Sequence, residues 1–197
     1  MRFLHVGCGA KTKVSTTKGF NSPDWEEIRF DIDEKVKPDV IGTMTDMANI
    51  DSKSVNAIYS SHNIEHLYPH EVGIALREFY RVLTDTGFVV ATLPDLQSVC
   101  RLVSEDKLLE PAYTSKAGPI APIDMLYGFR PAMENGNLYM SHRSGFTLKT
   151  LISTFRDAGF KSIAGKRRER QFDLFCLASK QEMTDQALRS LAMQHFP

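Results

Sequence analysis

Several short stretches of the sequence hold residue types that suit chemistry. Gly7-Cys8-Gly9 lies close to the amino end. Glycine lets the backbone turn sharply and lets a ligand approach where no Cβ intrudes. Asp31 follows Gly9 by 22 residues, with Asp33 just beyond it. An acidic residue about 20 positions after a glycine turn, at the end of a second strand, can accept hydrogen bonds from both hydroxyls of a ribose. Each piece has a plainer explanation: a turn for the glycines, a helix cap or loop ion pair for the aspartates. Together they favour a nucleoside. The full dinucleotide fingerprint asks for Gly-x-Gly-x-x-Gly, and Thr12 stands at its third glycine.

The run Ser60-Ser61-His62-Asn63-Ile64-Glu65-His66-Leu67 is the densest polar cluster. His62 suits a ligand contact or a general base. Glu65 reads as structural, holding the turn into the next helix, and His66 reads equally as structural or functional. His142 is a second candidate base. Arg143 beside it suits an anionic or sugar substrate, because a guanidinium reaches paired oxygens. For either candidate base the plain alternative is an ordinary surface or hydrogen-bonded histidine. Tyr127 joins His142 and Arg143 as a candidate substrate contact. No two of Cys8, Cys100 and Cys176 have zinc-ligand spacing, and no metal site is expected.

The glycine turn, the two aspartates and the Ser60 to Leu67 run fall where strands end. Arg2 to Val6 is a short apolar run entering the glycine turn. Glu27 to Ile32, Asp39 to Ile41 and Val55 to Ser60 read as further strands. Lys11 to Trp25 is polar and contains Pro23, so it reads as a loop. Pro69 opens the clearest helix, with Val72, Leu76, Phe79, Tyr80 and Leu83 on one face and Gly87 as its expected stop. Phe88 to Leu93 is a continuous apolar strand, of the sort covered on both faces. Ser98 to Leu109 reads as a helix, and Glu110 to Gly145 as irregular. Thr147 caps a helix that Gly159 ends; Ile163 and Phe172 to Ala178 are strands, and Thr184 to His195 a last helix. The alternation predicts an α/β fold, doubly wound, with a mostly parallel sheet. Ligands in such sheets sit beyond the carboxyl ends of the strands.

The chain of 197 residues suits one domain spanning 1–197, with an insertion at about 96–146 that reads equally as a functional lid or as a mere insertion. Lys+Arg and Asp+Glu balance at 24 each, so no whole-molecule attraction to nucleic acid or an anionic membrane is expected. Lys166, Arg167, Arg168 and Arg170 form a basic run that, being short and containing Glu169, reads as a solvated strand end sooner than as a nucleic-acid site. No apolar stretch approaches the roughly 20 residues a bilayer requires. Few, scattered cysteines and a start without a signal-peptide pattern point to a reduced, cytoplasmic protein. Oligomeric state is not legible.

Taken in order, His5-Val-Gly-Cys-Gly9, Phe30-Asp-Ile-Asp33, Ile58 to Leu67, Leu76-Arg-Glu-Phe-Tyr-Arg-Val-Leu83 and Gly87 to Asp95 resemble the type 11 class I methyltransferases, over about residues 3 to 100. His142-Arg-Ser-Gly-Phe-Thr147 and Ala158-Gly-Phe160 are similar to that group's ending. The resemblance implies a seven-stranded Rossmann-like sheet with one reversed strand near the carboxyl end. It implies S-adenosylmethionine laid across the strand tips, leaving S-adenosylhomocysteine as product. Gly7 and Gly9 would flank the methionine moiety, Asp31 or Asp33 the ribose, and Thr43 and Met44 the adenine. Ser60, Ser61 and His62 would border the sulfonium. The chain departs from the pattern at Thr43, where an acidic residue is frequent and for which Asp46 is a substitute, and at Asn56. A strong first helix is missing as well.

Methyl transfer from a sulfonium is an in-line displacement in which the protein chiefly positions the reactants. The strand-four end is not the Asp/Asn-Pro-Pro-Tyr/Phe of adenine or glutamine amino methylases. There is no Pro-Cys nucleophile of the cytosine-C5 type and no acidic cluster of a magnesium-dependent catechol type. An oxygen or nitrogen of a small molecule or glycan is left as acceptor. Two rivals stand beside this reading: a non-catalytic module that keeps the fold, and an NAD(P)-dependent oxidoreductase.

Overall fold

The computed structural model describes residues Met1–Pro197. Five strands run parallel: β1 (Arg2–Val6), β2 (Glu26–Asp31), β3 (Val40–Ile41), β4 (Val55–Ser61) and β5 (Leu83–Pro94). Helix α1 (Pro69–Val82) crosses from β4 to β5, and α2 (Leu96–Ser104) follows. A hairpin of β6 (Tyr113–Ser115) and β7 (Gly118–Ile120) precedes the short helices α3 (Pro122–Tyr127) and α4 (Arg130–Glu134). Helix α5 (Leu148–Asp157), β8 (Ser162–Arg168), β9 (Asp173–Ser179) and α6 (Asp185–His195) complete the chain. The main sheet has the order β3-β2-β1-β4-β5-β9-β8, and β9 alone is reversed, antiparallel to both β5 and β8.

Alternation along the strands divides the core. Leu4, Val6, Ile58 and Val89 face α1 and α5, whose Val72, Leu76, Phe79, Leu151 and Phe155 cover that side. Phe3, Ala57, Tyr59 and Val90 face the other way. No helix stands over them from the 11–25 segment, which forms only a 3-10 turn at Lys13–Ser15. Phe20 and Trp25 of that loop cover them instead, together with Ala192 and His195 of α6. Glu27 ties the loop down, accepting from the backbone N–H of Lys13 (2.8 Å) and bonding His5 Nδ1 (2.6 Å). Burial lowers the pKa of His5, so a neutral ring donates to that carboxylate.

Several expectations need correction. Gly87 does not stop α1. The helix ends at Val82, Leu83 turns extended, and Gly87 lies within β5. The stop comes from the far end of the chain: Lys180 Nζ donates to the carbonyls of Tyr80 and Leu83, each at 2.9 Å, and sits 4.3 Å from the Tyr80 ring centroid. A cation there satisfies orphan carbonyls and complements the helix dipole. Lys180→Met is therefore expected to lower folding stability by about 1–3 kcal/mol in urea titration. An unchanged midpoint would show that these carbonyls find other partners. Helix α2 starts and ends earlier than expected, with Asp95 as its cap. The 110–145 stretch is not irregular throughout, since it holds the hairpin and both short helices. Asn56 does more than shape a turn: its Oδ1 accepts from the Arg2 backbone N–H at 2.9 Å and so anchors the start of β1. No helix is long and apolar enough to cross a membrane.

Candidate functional site

The carboxyl ends of β1, β2 and β4 open onto a cavity of about 380 Å3. Gly7 (φ 65°) and Gly9 (φ 52°) both hold left-handed backbone, which explains glycine at each. Gly7 has a second reason: a Cβ there would lie 2.1 Å from Asn63 Nδ2. Asp31 braces the turn. One of its oxygens accepts from the Gly9 N–H (2.7 Å) and the other from the Asp33 N–H (2.9 Å). A carboxylate has about four acceptor positions, so lone pairs remain for hydroxyls of a ligand. Gly7, Gly9, Asp31, Asp33, Thr43, Met44 and His62 all line this cavity.

A second cavity of about 530 Å3 adjoins it, and His62, His66 and Met140 line both. His142 lines the second, with Arg168, Arg170 and Phe172 opposite. His62 has φ 51°, a left-handed conformation that is uncommon outside glycine and that clusters at functional sites. The 3-10 turn Ile64–His66 follows it. The backbone N–H groups of Arg143 (2.9 Å) and Ser144 (3.1 Å) both donate to the Glu65 carbonyl, clamping the end of the insertion onto this turn. That clamp brings His142 beside His66, with ring centroids 4.9 Å apart. Burial lowers the pKa of His142, which leaves its ring neutral near pH 7.

The overall arrangement matches solved structures. A methyltransferase from Archaeoglobus fulgidus, described as SAM-dependent, superposes at TM-score 0.57 with 15% identity, covering 91% of this chain and 86% of that one. One from Methanosarcina mazei gives TM-score 0.59 at 13% identity, covering 92% and 93%. The Burkholderia thailandensis 1,6-didemethyltoxoflavin-N1-methyltransferase, solved with bound 1,6-didemethyltoxoflavin and S-adenosylhomocysteine, gives 0.58 at 13% identity, covering 92% and 71%. The family model described as "Methyltransferase domain" matches residues 4–91. The fold is that of the S-adenosylmethionine-dependent methyltransferases. No curated protein matches the sequence.

Within this methyltransferase fold, some sequence-predicted residues lie elsewhere. Ser60 and Ser61 line neither cavity: Ser60 is buried with an unpartnered hydroxyl, and the Ser61 hydroxyl is bonded to Thr92 at 2.8 Å. Arg143 lines the first cavity, not the second, with its guanidinium 4.7 Å from the Tyr68 ring centroid. Tyr127 lines neither and is 63% exposed. Asp46 does not reach the first cavity; its carboxylate accepts from the Ala48 N–H. The basic run is not simply a solvated strand end. Arg168 pairs with Asp173 through its Nε (2.8 Å), and both line the second cavity beside Arg170. Sequence reasoning missed Asn63, Asn137, Tyr139 and Met140 at the first cavity. The segment holding Asn137, Tyr139 and Met140 folds back to this cavity, and no local pattern announces that.

Proposed function

We propose that the chain transfers a methyl group from S-adenosylmethionine to an oxygen or nitrogen of a small molecule or glycan. The observation that carries this is the pair of cavities meeting at His62, His66 and Met140. The first, with its glycine turn and braced Asp31, takes the cofactor, with the ribose at Asp31 and the adenine near Thr43 and Met44. The second takes the acceptor. Its Tyr113, Phe129 and Phe172 suit a ring face, and Arg170, which forms no ion pair, suits an anionic or hydroxyl group. The acceptor atom attacks the methyl carbon opposite sulfur. The C–S bond breaks, its electron pair stays on sulfur, and S-adenosylhomocysteine is left. His62 stands at the junction to take the acceptor's proton and, half-exposed, to pass it to water. The segment at about 96–146, with Asn137, Tyr139 and Met140 at the first cavity, acts as a lid that keeps water out.

Calorimetric titration with S-adenosylhomocysteine, with NADH in parallel, tests the reading. Micromolar binding of the first alone is expected. Asp31→Ala should weaken it about tenfold, because one charge-assisted hydrogen bond and the brace on Gly9 are lost together. Binding of NADH instead would favour an oxidoreductase, and binding of neither by a folded protein would sink the proposal.

A further inference from the structure

At the junction of the two cavities lies a cluster that methyl transfer by proximity alone does not require. Glu65 is 1% exposed, and neither of its carboxylate oxygens has a hydrogen-bond partner. His62 Nδ1 lies 3.5 Å from its Oε1. One potential ligand atom from each of Glu65, His66 and His142 lies within 4.8 Å of the others.

The ring tautomers follow from the outer contacts. His66 Nδ1 is 3.1 Å from the Ser141 carbonyl, and His142 Nδ1 is 2.9 Å from the Met125 carbonyl. A carbonyl only accepts, so both Nδ1 atoms carry a proton, and in the neutral rings the lone pair is on Nε2. Three acceptors therefore meet in one partly buried place: two imidazole nitrogens and the fully buried Glu65 carboxylate. Protonating Glu65 satisfies one oxygen and leaves the other orphaned. A divalent cation satisfies all three groups at once.

Backbone carbonyls that fix the remote nitrogen of metal-ligating histidines are the usual outer partners of such ligands. Two histidines and one glutamate with a position left open form a donor set used by catalytic zinc sites, and the borderline transition metals share it. Tetrahedral ligands at ordinary zinc bond lengths lie about 3.4 Å apart, so closing the cluster takes side-chain shifts of about an ångström.

We propose that Glu65, His66 and His142 bind a divalent transition-metal ion whose open position faces the acceptor cavity. The earlier absence of zinc spacing concerned cysteines; these ligands come from a turn and from a segment 75 or more residues away, joined by the clamp on the Glu65 carbonyl. This inference rests on the methyltransferase reading only for what the ion does. There, a hydroxyl or carboxylate oxygen of the acceptor completes its coordination, which selects oxygen-bearing acceptors and assists loss of the proton.

The full chain, stripped with EDTA and desalted, is titrated with cobalt(II) chloride and followed by visible absorption, then challenged with zinc. One equivalent of cobalt, displaced by zinc, is expected. Glu65→Gln and His142→Ala should each bind about 100-fold more weakly, in line with the loss of a direct ligand. Circular dichroism identifies any variant that fails to fold, and the other variant then decides. A wild-type chain that takes up neither metal, or folded variants that bind as tightly as wild type, would overturn the site. S-adenosylhomocysteine titrated into the same samples separates the two claims. Cofactor binding without metal uptake overturns the metal site alone, whereas metal uptake without cofactor binding upholds the site and sinks the methyltransferase reading.

Discussion

Asp95→Ala is expected to cost about 3–5 kcal/mol of folding stability, the range for removing one partner of a buried ion pair. Asp95 is fully buried at the end of β5. Its carboxylate accepts from Arg167 Nε on β8, from the Ser98 hydroxyl and from the Gln97 N–H, while its own N–H donates to the Phe172 carbonyl (2.8 Å). One residue thus caps α2, neutralises Arg167 and joins β5 to the turn before β9. Arg167 is 18% exposed and keeps Glu169 as its one ion-pair partner once the aspartate is gone, with the Ser98 hydroxyl accepting from its Nη2 at 3.0 Å. Asp95→Asn should lose less, because it retains an acceptor for the cap and the serine. Urea titration of the three proteins measures this directly. Equal midpoints for wild type and alanine would mean the guanidinium reaches water without cost.

Acid is expected to weaken the fold by about 3 kcal/mol between pH 6.5 and pH 4, through His195 alone. Burial pushes the His195 pKa down to about 4, against an ordinary value of 6.5. The ring is 4% exposed, lies against Phe20 at 4.4 Å between centroids, and bonds the Thr17 hydroxyl through Nδ1 at 2.7 Å. Between these two pKa values the unfolded chain binds a proton that the folded chain refuses. Stability therefore rises with pH across the window, is complete above about pH 6.5, and falls as pH drops toward 4. His5 and His142 are lowered by burial too and pull in the same direction. His195→Gln removes the titrating group, so its stability should vary less with pH over that window. Parallel curves for the two proteins would refute the assignment to His195.

Much of the scaffold was legible because local signals agree with the final packing. Val72, Leu76 and Phe79 share a face and are buried together, Thr147 does cap α5, and the Gly7-Cys8-Gly9 turn sits where the first strand ends. The misses at Gly87, Arg168 and Glu65 share one cause: the deciding partner is remote in sequence. Gly87 looked like a stop because Lys180, 97 residues from Leu83, leaves no trace near α1. Arg168 looked solvated because its carboxylate and its cavity arise from chain reversal at β9. Glu65 was read as a turn-holder. Its carbonyl does hold the clamp, but its side chain faces His66 and His142, which no spacing within the turn foretells.

The covering of the sheet's second face has a consequence for synthesis. Strand β9 enters between β5 and β8, and α6 then closes over Phe20 and Phe88, with the Gly19 N–H donating to the Gln194 carbonyl at 2.9 Å. Phe3, Phe20 and Trp25 therefore wait for α6, which is made much later in translation, before they leave water. A nascent chain in which β9 and α6 have yet to be made carries an open strand edge at β5 and a bare aromatic plate. Those are features that chaperones recognise and that favour aggregation when translation stalls.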